Sequence, residues 1–192
     1  MSSDTPRLRA DARRNVEGIR LAALDVFRAN GLNSPLDEVA RAAGVSKGTI
    51  YHRFGGRQGL IDAVVEELVA ERIDGIIGSV QDIEDPVERF ENYLRQIWLL
   101  QYDEPAANDV LLRALPASGP VNALCERASK IAGRLLADAQ ASGKIRDDLT
   151  ADDIYLLIWE RGIIARACEQ QPRDGYRQRC EYTLRGLRSS TS

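Results

Sequence analysis

One histidine, one methionine and three cysteines are all that this chain of 192 residues offers of the side chains that most often bind metals or carry nucleophilic chemistry. Cys125, Cys168 and Cys180 are far apart, form no Cys-x-x-Cys pair and have no histidine nearby. That pattern supports neither a disulfide framework nor a zinc site, so buried thiols in a reducing cytoplasm are expected, with no metal and no cofactor. A signal-peptide pattern and an apolar run of 18 residues are also lacking. The expected location is therefore cytoplasmic, with no membrane span. Strand-type alternation of useful length is missing as well, which leaves an all-α fold. Carboxylates such as Asp147, Asp148, Asp152 and Asp153 fall at a loop and a helix start, where capping explains them better than acid-base chemistry. The Gly-x-Ser-x-Gly pattern of serine hydrolases occurs at Gly44-Val45-Ser46-Lys47-Gly48, but that motif needs a preceding strand and a distant histidine. Here a helix precedes it, and His52 lies only six residues on, so no catalytic residue and no enzyme are expected.

What is present is a globular composition, 44% hydrophobic and 29% charged, with an uneven distribution of charge. The net charge is −3, yet residues 1–57 hold ten Arg or Lys against six Asp or Glu, a net of +4 that leaves −7 for the rest. A basic head on an acidic body suits a chain that meets a polyanion at one end.

The head contains the most informative stretch. Gly44 can end a helix in the left-handed conformation, and Ser46 can cap the next by accepting a backbone N–H. Val45, Ile50 and Phe54 are then available to hold a short helix on a core. Lys47, Thr49, Tyr51, His52 and Arg53 are left facing outward, a surface of donors and positive charge suited to a DNA groove. Around it, Ile19, Ala22, Ala23, Val26 and Phe27 predict a helix over 12–30, and Ser34-Pro35-Leu36-Asp37 reads as a capped start for a helix burying Leu36, Val39, Ala40 and Ala43. The polar residues before 12 are expected to form a basic arm in which Arg7 and Arg9 could reach phosphate.

The run from Leu36 to Phe54, followed by Arg57 and Leu60, resembles the DNA-binding signature of TetR-family transcriptional regulators over roughly residues 12–70. The chain has Arg53 where the family often has His or Tyr, and Arg57 where it commonly has Lys; both keep a donor and bear on the operator sequence. The resemblance implies a helix-turn-helix in which Lys47, Gly48 and Thr49 approach base edges, Tyr51, His52 and Arg53 contact phosphate or the groove edge, and Arg57 binds phosphate at the start of the following helix. Ser34, Arg13 and Arg14 are further phosphate candidates. It also implies a ligand-responsive repressor that binds a palindromic operator as a homodimer and is released by a small molecule. A helical interaction or small-molecule-binding adaptor without operator binding is the other class considered; it should lack donors on the recognition face, and this chain keeps them.

The remaining sequence supports such a body. A helix is expected from Arg57 to about Ile77, a linker from Gly78 to Glu84, and a capped helix beginning at Asp85-Pro86. A short helix then runs through Val110, Leu111, Leu112 and Leu115 to Pro116. Long helices follow from Pro120, from the capping signature Thr150-Ala151-Asp152-Asp153, and from about Asp174. About nine helices result, arranged as a three-helix DNA-binding domain over 1–56 and a ligand-binding and dimerisation domain over 57–192. A small apolar or amphipathic effector is expected among Trp98, Gln101, Tyr102, Leu111, Leu112, Cys125, Tyr155, Trp159 and Glu160, the apolar, aromatic and polar mix that lines helical pockets. The helix from Ile154 is apolar all round at first and so needs cover on two sides. Ile158 and Ile163 there, with the stripe Tyr176, Cys180, Leu184 and Leu187, are the expected dimer surface, which the family builds as a four-helix bundle.

Overall fold

The computed structural model describes residues 5–112, 120–167 and 172–189. Among them the chain is all-helical, apart from one isolated antiparallel bridge between Ile145 and Arg188. Ten α-helices follow in order: α1 Thr5–Asn30, α2 Leu36–Ala42, α3 Lys47–Phe54, α4 Arg57–Val65, α5 Glu71–Gln81, α6 Pro86–Asp103, α7 Pro105–Leu112, α8 Pro120–Ala141, α9 Ala151–Ala167 and α10 Arg173–Gly186. A π-helical turn, Glu66–Ala70, joins α4 to α5.

That turn is why ten helices replace nine. Residues 57–81 form one helical run with a wider turn inside it, and only 82–84 remain of the expected linker. Arginines of α1 hold the turn: Arg20 pairs with the Glu67 carboxylate and donates from Nε to the Ala63 carbonyl at 3.2 Å, and Arg28 donates to the Glu67 carbonyl at 3.2 Å. A second difference is that α1 starts at Thr5, so the backbone of the expected arm is helical. Leu115, Pro116 and Cys168 lie outside the described residues, and so do the side chains of Arg7 and Arg9.

Local chemistry explains most of the remaining boundaries. Asp85 caps α6 by accepting the N–H groups of Val87 at 2.8 Å and Glu88 at 3.1 Å, with Pro86 at the first helical position. Those two donors hold its carboxyl below the usual range. Thr150 and Asp153 cap reciprocally, the hydroxyl accepting Asp153 N–H at 3.2 Å and the carboxylate accepting Thr150 N–H at 2.8 Å. Ser34 does not cap α2: its hydroxyl donates back to the Gly31 carbonyl at 2.7 Å, and Pro35 takes the cap position without a side-chain bond.

The core runs unbroken through the described residues. Ile19, Phe27, Val39, Ile50, Leu60 and Val64 form its head end, where α1 packs on α2 and α4, and α4 on α3. In the body α6 is the central helix, touching α5, α7, α8, α9 and α10. It buries Phe90, Tyr93, Leu94, Ile97 and Trp98. Its polar residues Glu91 and Gln101 are buried as well, and Glu91 accepts a forked pair from Arg188 at 2.7 and 2.9 Å, which fastens the C-terminal end of the described chain to the middle of the bundle.

Candidate nucleic-acid interface

Helix α3 is held from behind by very little. The α2 end closes with Gly44 at φ +66°, as Gly44 N–H bonds to the Arg41 carbonyl and Val45 N–H to the Ala40 carbonyl. Ser46 then accepts the Thr49 N–H at 3.2 Å. Ile50 is the one fully buried side chain of α3, with Val45 and Phe54 half-buried beside it. Burying one isoleucine contributes about 2 kcal/mol, so the remaining support must come from how closely α4 fits. Gly59 supplies that fit, since a Cβ there would collide with the Phe54 carbonyl.

The opposite face is polar and open. Lys47, Gly48, Tyr51, His52 and Arg53 are exposed and Thr49 is partly so. Lys47 pairs with Asp37 at 3.1 Å, but both are solvated, so a phosphate can replace the carboxylate at little cost. Tyr51 is 53% exposed, and its ring lies against Gly56, where a Cβ would come within 3.1 Å of it. That contact fixes the ring while leaving its hydroxyl outside. Arg13 and Arg14 on α1 are also exposed.

Two expected phosphate ligands are turned inward. Ser34 is 5% exposed with its hydroxyl committed to Gly31, so it cannot face a groove. Arg57 directs Nη1 at the carbonyls of Leu32, 2.8 Å away, and Ser34, 2.6 Å away. It ties the α1–α2 turn to the start of α4. Body residues grip that turn from the other side: Asp109, buried on α7, accepts the Leu32 N–H at 2.6 Å and faces Arg166 of α9. Neither Asp109 nor Arg166 was expected from the sequence; the one available signal was the polar pair Asn108-Asp109 inside an otherwise apolar short helix.

Five of the nine expected effector residues line one or the other of two cavities. Leu111, Cys125 and Tyr155 line an apolar cleft together with Tyr93, Ile97 and Ile158, and it is closed to about 30 Å³, room for roughly one water. Gln101 and Tyr102 line a cavity of about 490 Å³ at the junction of head and body. Trp98, Leu112, Trp159 and Glu160 line neither: Trp98 is fully buried, Trp159 donates from Nε1 to the Leu112 carbonyl at 3.3 Å, and Glu160 faces outward. Burial pushes the Cys125 and Cys180 thiols up, as befits packed, unreactive groups.

The expected dimer surface is corrected in the same way. Tyr176, Cys180, Leu184 and Leu187 are buried within the chain, because α10 lays that stripe on α6, and Ile158 turns into the apolar cleft. Ile163 stays 41% exposed. Leu156, Trp159 and Ile164 on α9, with Glu160 among them, and Tyr182 on α10 are likewise left open to solvent by the described residues.

Comparison with known proteins agrees with this geometry. Residues 19–64 match the model for bacterial regulatory proteins of the tetR family, and residues 85–189 match that for the SbtR-like transcriptional regulator C-terminal domain. The HTH-type transcriptional repressor KstR2 of Mycolicibacterium smegmatis is 27% identical over 172 residues, covering 82% of this chain and 79% of its own. Among solved structures, the TetR transcriptional regulator SCO0520 from Streptomyces coelicolor is 29% identical with a TM-score of 0.54, over 91% of this chain and 99% of its own. The regulator FadR from Bacillus subtilis in complex with stearoyl-CoA is similar in fold, with a TM-score of 0.65 at 19% identity over 92% of this chain and all of its own.

Proposed function

The chain belongs to the TetR family of transcriptional regulators, and from that premise we propose that it is a repressor that occupies a palindromic operator as a homodimer and releases it when a small molecule enters the body. The observation that carries this reading is the face of α3, where Lys47, Gly48, Thr49, Tyr51, His52 and Arg53 stand out from a helix anchored by Ile50. Lys47, Gly48 and Thr49, in the first turn, would meet base edges. Tyr51, His52 and Arg53 would hold the phosphates that set the register. Arg13 and Arg14 add charge from α1.

A helix of eight residues reads too few base pairs for tight specific binding. Two copies related by a twofold axis would read two half-sites one or more helical turns apart, about 34 Å per turn. The uncovered apolar surface of Leu156, Trp159, Ile163, Ile164 and Tyr182 is what supports pairing, and its self-complementarity would be isologous.

The apolar cleft favours an apolar or amphipathic effector. It is nearly closed in this state, so an occupant would have to spread α6, α8 and α9, from which most of its lining is drawn. That movement reaches the head through α7, whose Asp109 holds the α1–α2 turn. A coupling of about 1–3 kcal/mol would lower operator affinity roughly 5- to 150-fold. The test is binding of the purified protein to the DNA upstream of its own gene, followed through a salt titration and then by selection of bound genomic fragments. A specific complex with a steep salt slope is expected; non-specific binding alone in both experiments would overturn the reading in favour of an adaptor.

A further inference from the structure

The cavity at the junction of head and body differs in chemistry from the apolar cleft. Its volume of about 490 Å³ falls in the range of small-molecule sites. Its wall is drawn from both halves of the chain: Asn30 at the end of α1, Gln101 and Tyr102 on α6, Pro105 and Asn108 on α7, and Arg166 in the last turn of α9. Three amides, a phenol and a guanidinium therefore converge on one space.

Two of these groups are incompletely satisfied. Arg166 stands 3.4 and 3.5 Å from the oxygens of Asp109, while the short bond of that carboxylate goes to the Leu32 N–H at 2.6 Å. With its side chain 35% exposed, the guanidinium keeps donors for a second carboxylate, and its fork suits a bidentate one. Gln101 donates from Nε2 to Asn108 at 3.2 Å, and Asn108 in turn donates to the Gly162 carbonyl at 2.9 Å, but the Gln101 amide oxygen is buried without a partner. This corner lacks a donor. Tyr102 is stacked on Tyr176 at 4.8 Å between centroids, which fixes one aromatic wall.

We propose that this cavity is a second effector site and that it takes a small aromatic hydroxycarboxylate. The carboxylate pairs with Arg166 and accepts from the exposed Asn30 amide, the hydroxyl supplies the donor missing at Gln101, and the ring lies against Tyr102 and Pro105. The occupant touches α1 and α9 at once and draws on the arginine that faces Asp109. Its presence is therefore felt at the turn that sets the head on the body. The regulatory consequence rests on the repressor reading, whereas the binding itself does not.

The test is calorimetric titration of para-hydroxybenzoate into the full chain without DNA, beside the neutral para-hydroxybenzamide. The acid is expected to bind at least about tenfold more tightly than the amide, and to lose at least about tenfold in Arg166→Gln and in Asn30→Ala. Asn30 is exposed, so its replacement leaves the fold intact even if the loss of Arg166 disturbs Asp109. Ala132→Leu, which fills the apolar cleft, is expected to leave the affinity of the acid unchanged. The proposal is overturned by no binding up to about 10 mM, by equal affinity for acid and amide, by full affinity in Asn30→Ala, or by loss confined to Ala132→Leu.

Discussion

Helices α3 and α9 both bury little of themselves, and they leave opposite things exposed. On α3 a single side chain is fully buried and the open face carries lysine, tyrosine, histidine and arginine. On α9 the buried residues are Ile154, Gly162 and Ala165, and the open face carries Leu156, Trp159, Ile163 and Ile164 around Glu160. A polar face with surplus donors gains by meeting an anion, while an apolar face gains only by leaving water. The two helices mark two kinds of partner, and each can be removed without touching the other.

The largest effect is expected from Leu156→Glu combined with Ile163→Glu. Charging the α9 face should leave a folded monomer, seen as a halved mass in sedimentation, with operator affinity falling roughly a thousandfold towards the non-specific level. An unchanged mass would remove α9 from the dimer surface. Next is Gly59→Ala, which drives a Cβ into the Phe54 carbonyl and should cost about 3 kcal/mol in denaturant unfolding. Full stability would mean that α3 is not held by its fit to α4. Asp109→Ala strips the buried Leu32 N–H of its acceptor and should cost about 1–3 kcal/mol. Asp109→Asn, which keeps an acceptor, should recover much of the Leu32 contribution. A smaller change is expected from Arg53→Ala: a weakening that is nearly uniform across DNA sequences, with the salt slope reduced by about one ion.

The smallest effect concerns the start of α9. The Thr150 hydroxyl and N–H hold the Asp153 carboxyl below its ordinary value of 3.8. A group depressed in the folded state adds stability above its unfolded pKa and loses it as pH falls through the folded one. The difference in thermal midpoint between the native chain and Asp153→Asn should therefore be present at neutral pH and vanish in acid, below the folded pKa. A difference that persists there would assign the cap to the Thr150 hydroxyl alone.

Features built from neighbouring residues were legible in the sequence. Gly44, Ser46 and Ile50 announced the turn and its helix, and Asp85-Pro86 and Thr150-Asp153 announced their caps, because each signal acts within four residues. The stripe of α10 was legible as a buried face, but periodicity does not say what buries it. The cover is α6 of the same chain, and the large apolar side chains left exposed, such as Leu156 and Tyr182, fall outside that stripe. Arg57 looked like a free cation because nothing local revealed that the carbonyls of Leu32 and Ser34 lie within its reach. Asp109 and Arg166 were invisible for the same reason: they meet across 57 residues of chain.

The π-helical turn at Glu66–Ala70 has a consequence for phase. An α-helix advances about 100° per residue, so the one extra residue that a π turn accommodates rotates everything after it by about that angle. On an unbroken α-helix the stripe of Leu60, Ile61 and Val64, against α1 and α3, would stand roughly 145° from that of Ile73, Ile76 and Val80, against α6, and the extra residue brings the two back to roughly 45°. Residues 57–81 can thus turn nearly the same side to both cores along a single axis. The turn works as an angular correction that keeps the core of the head and the core of the body near one side of a single helix.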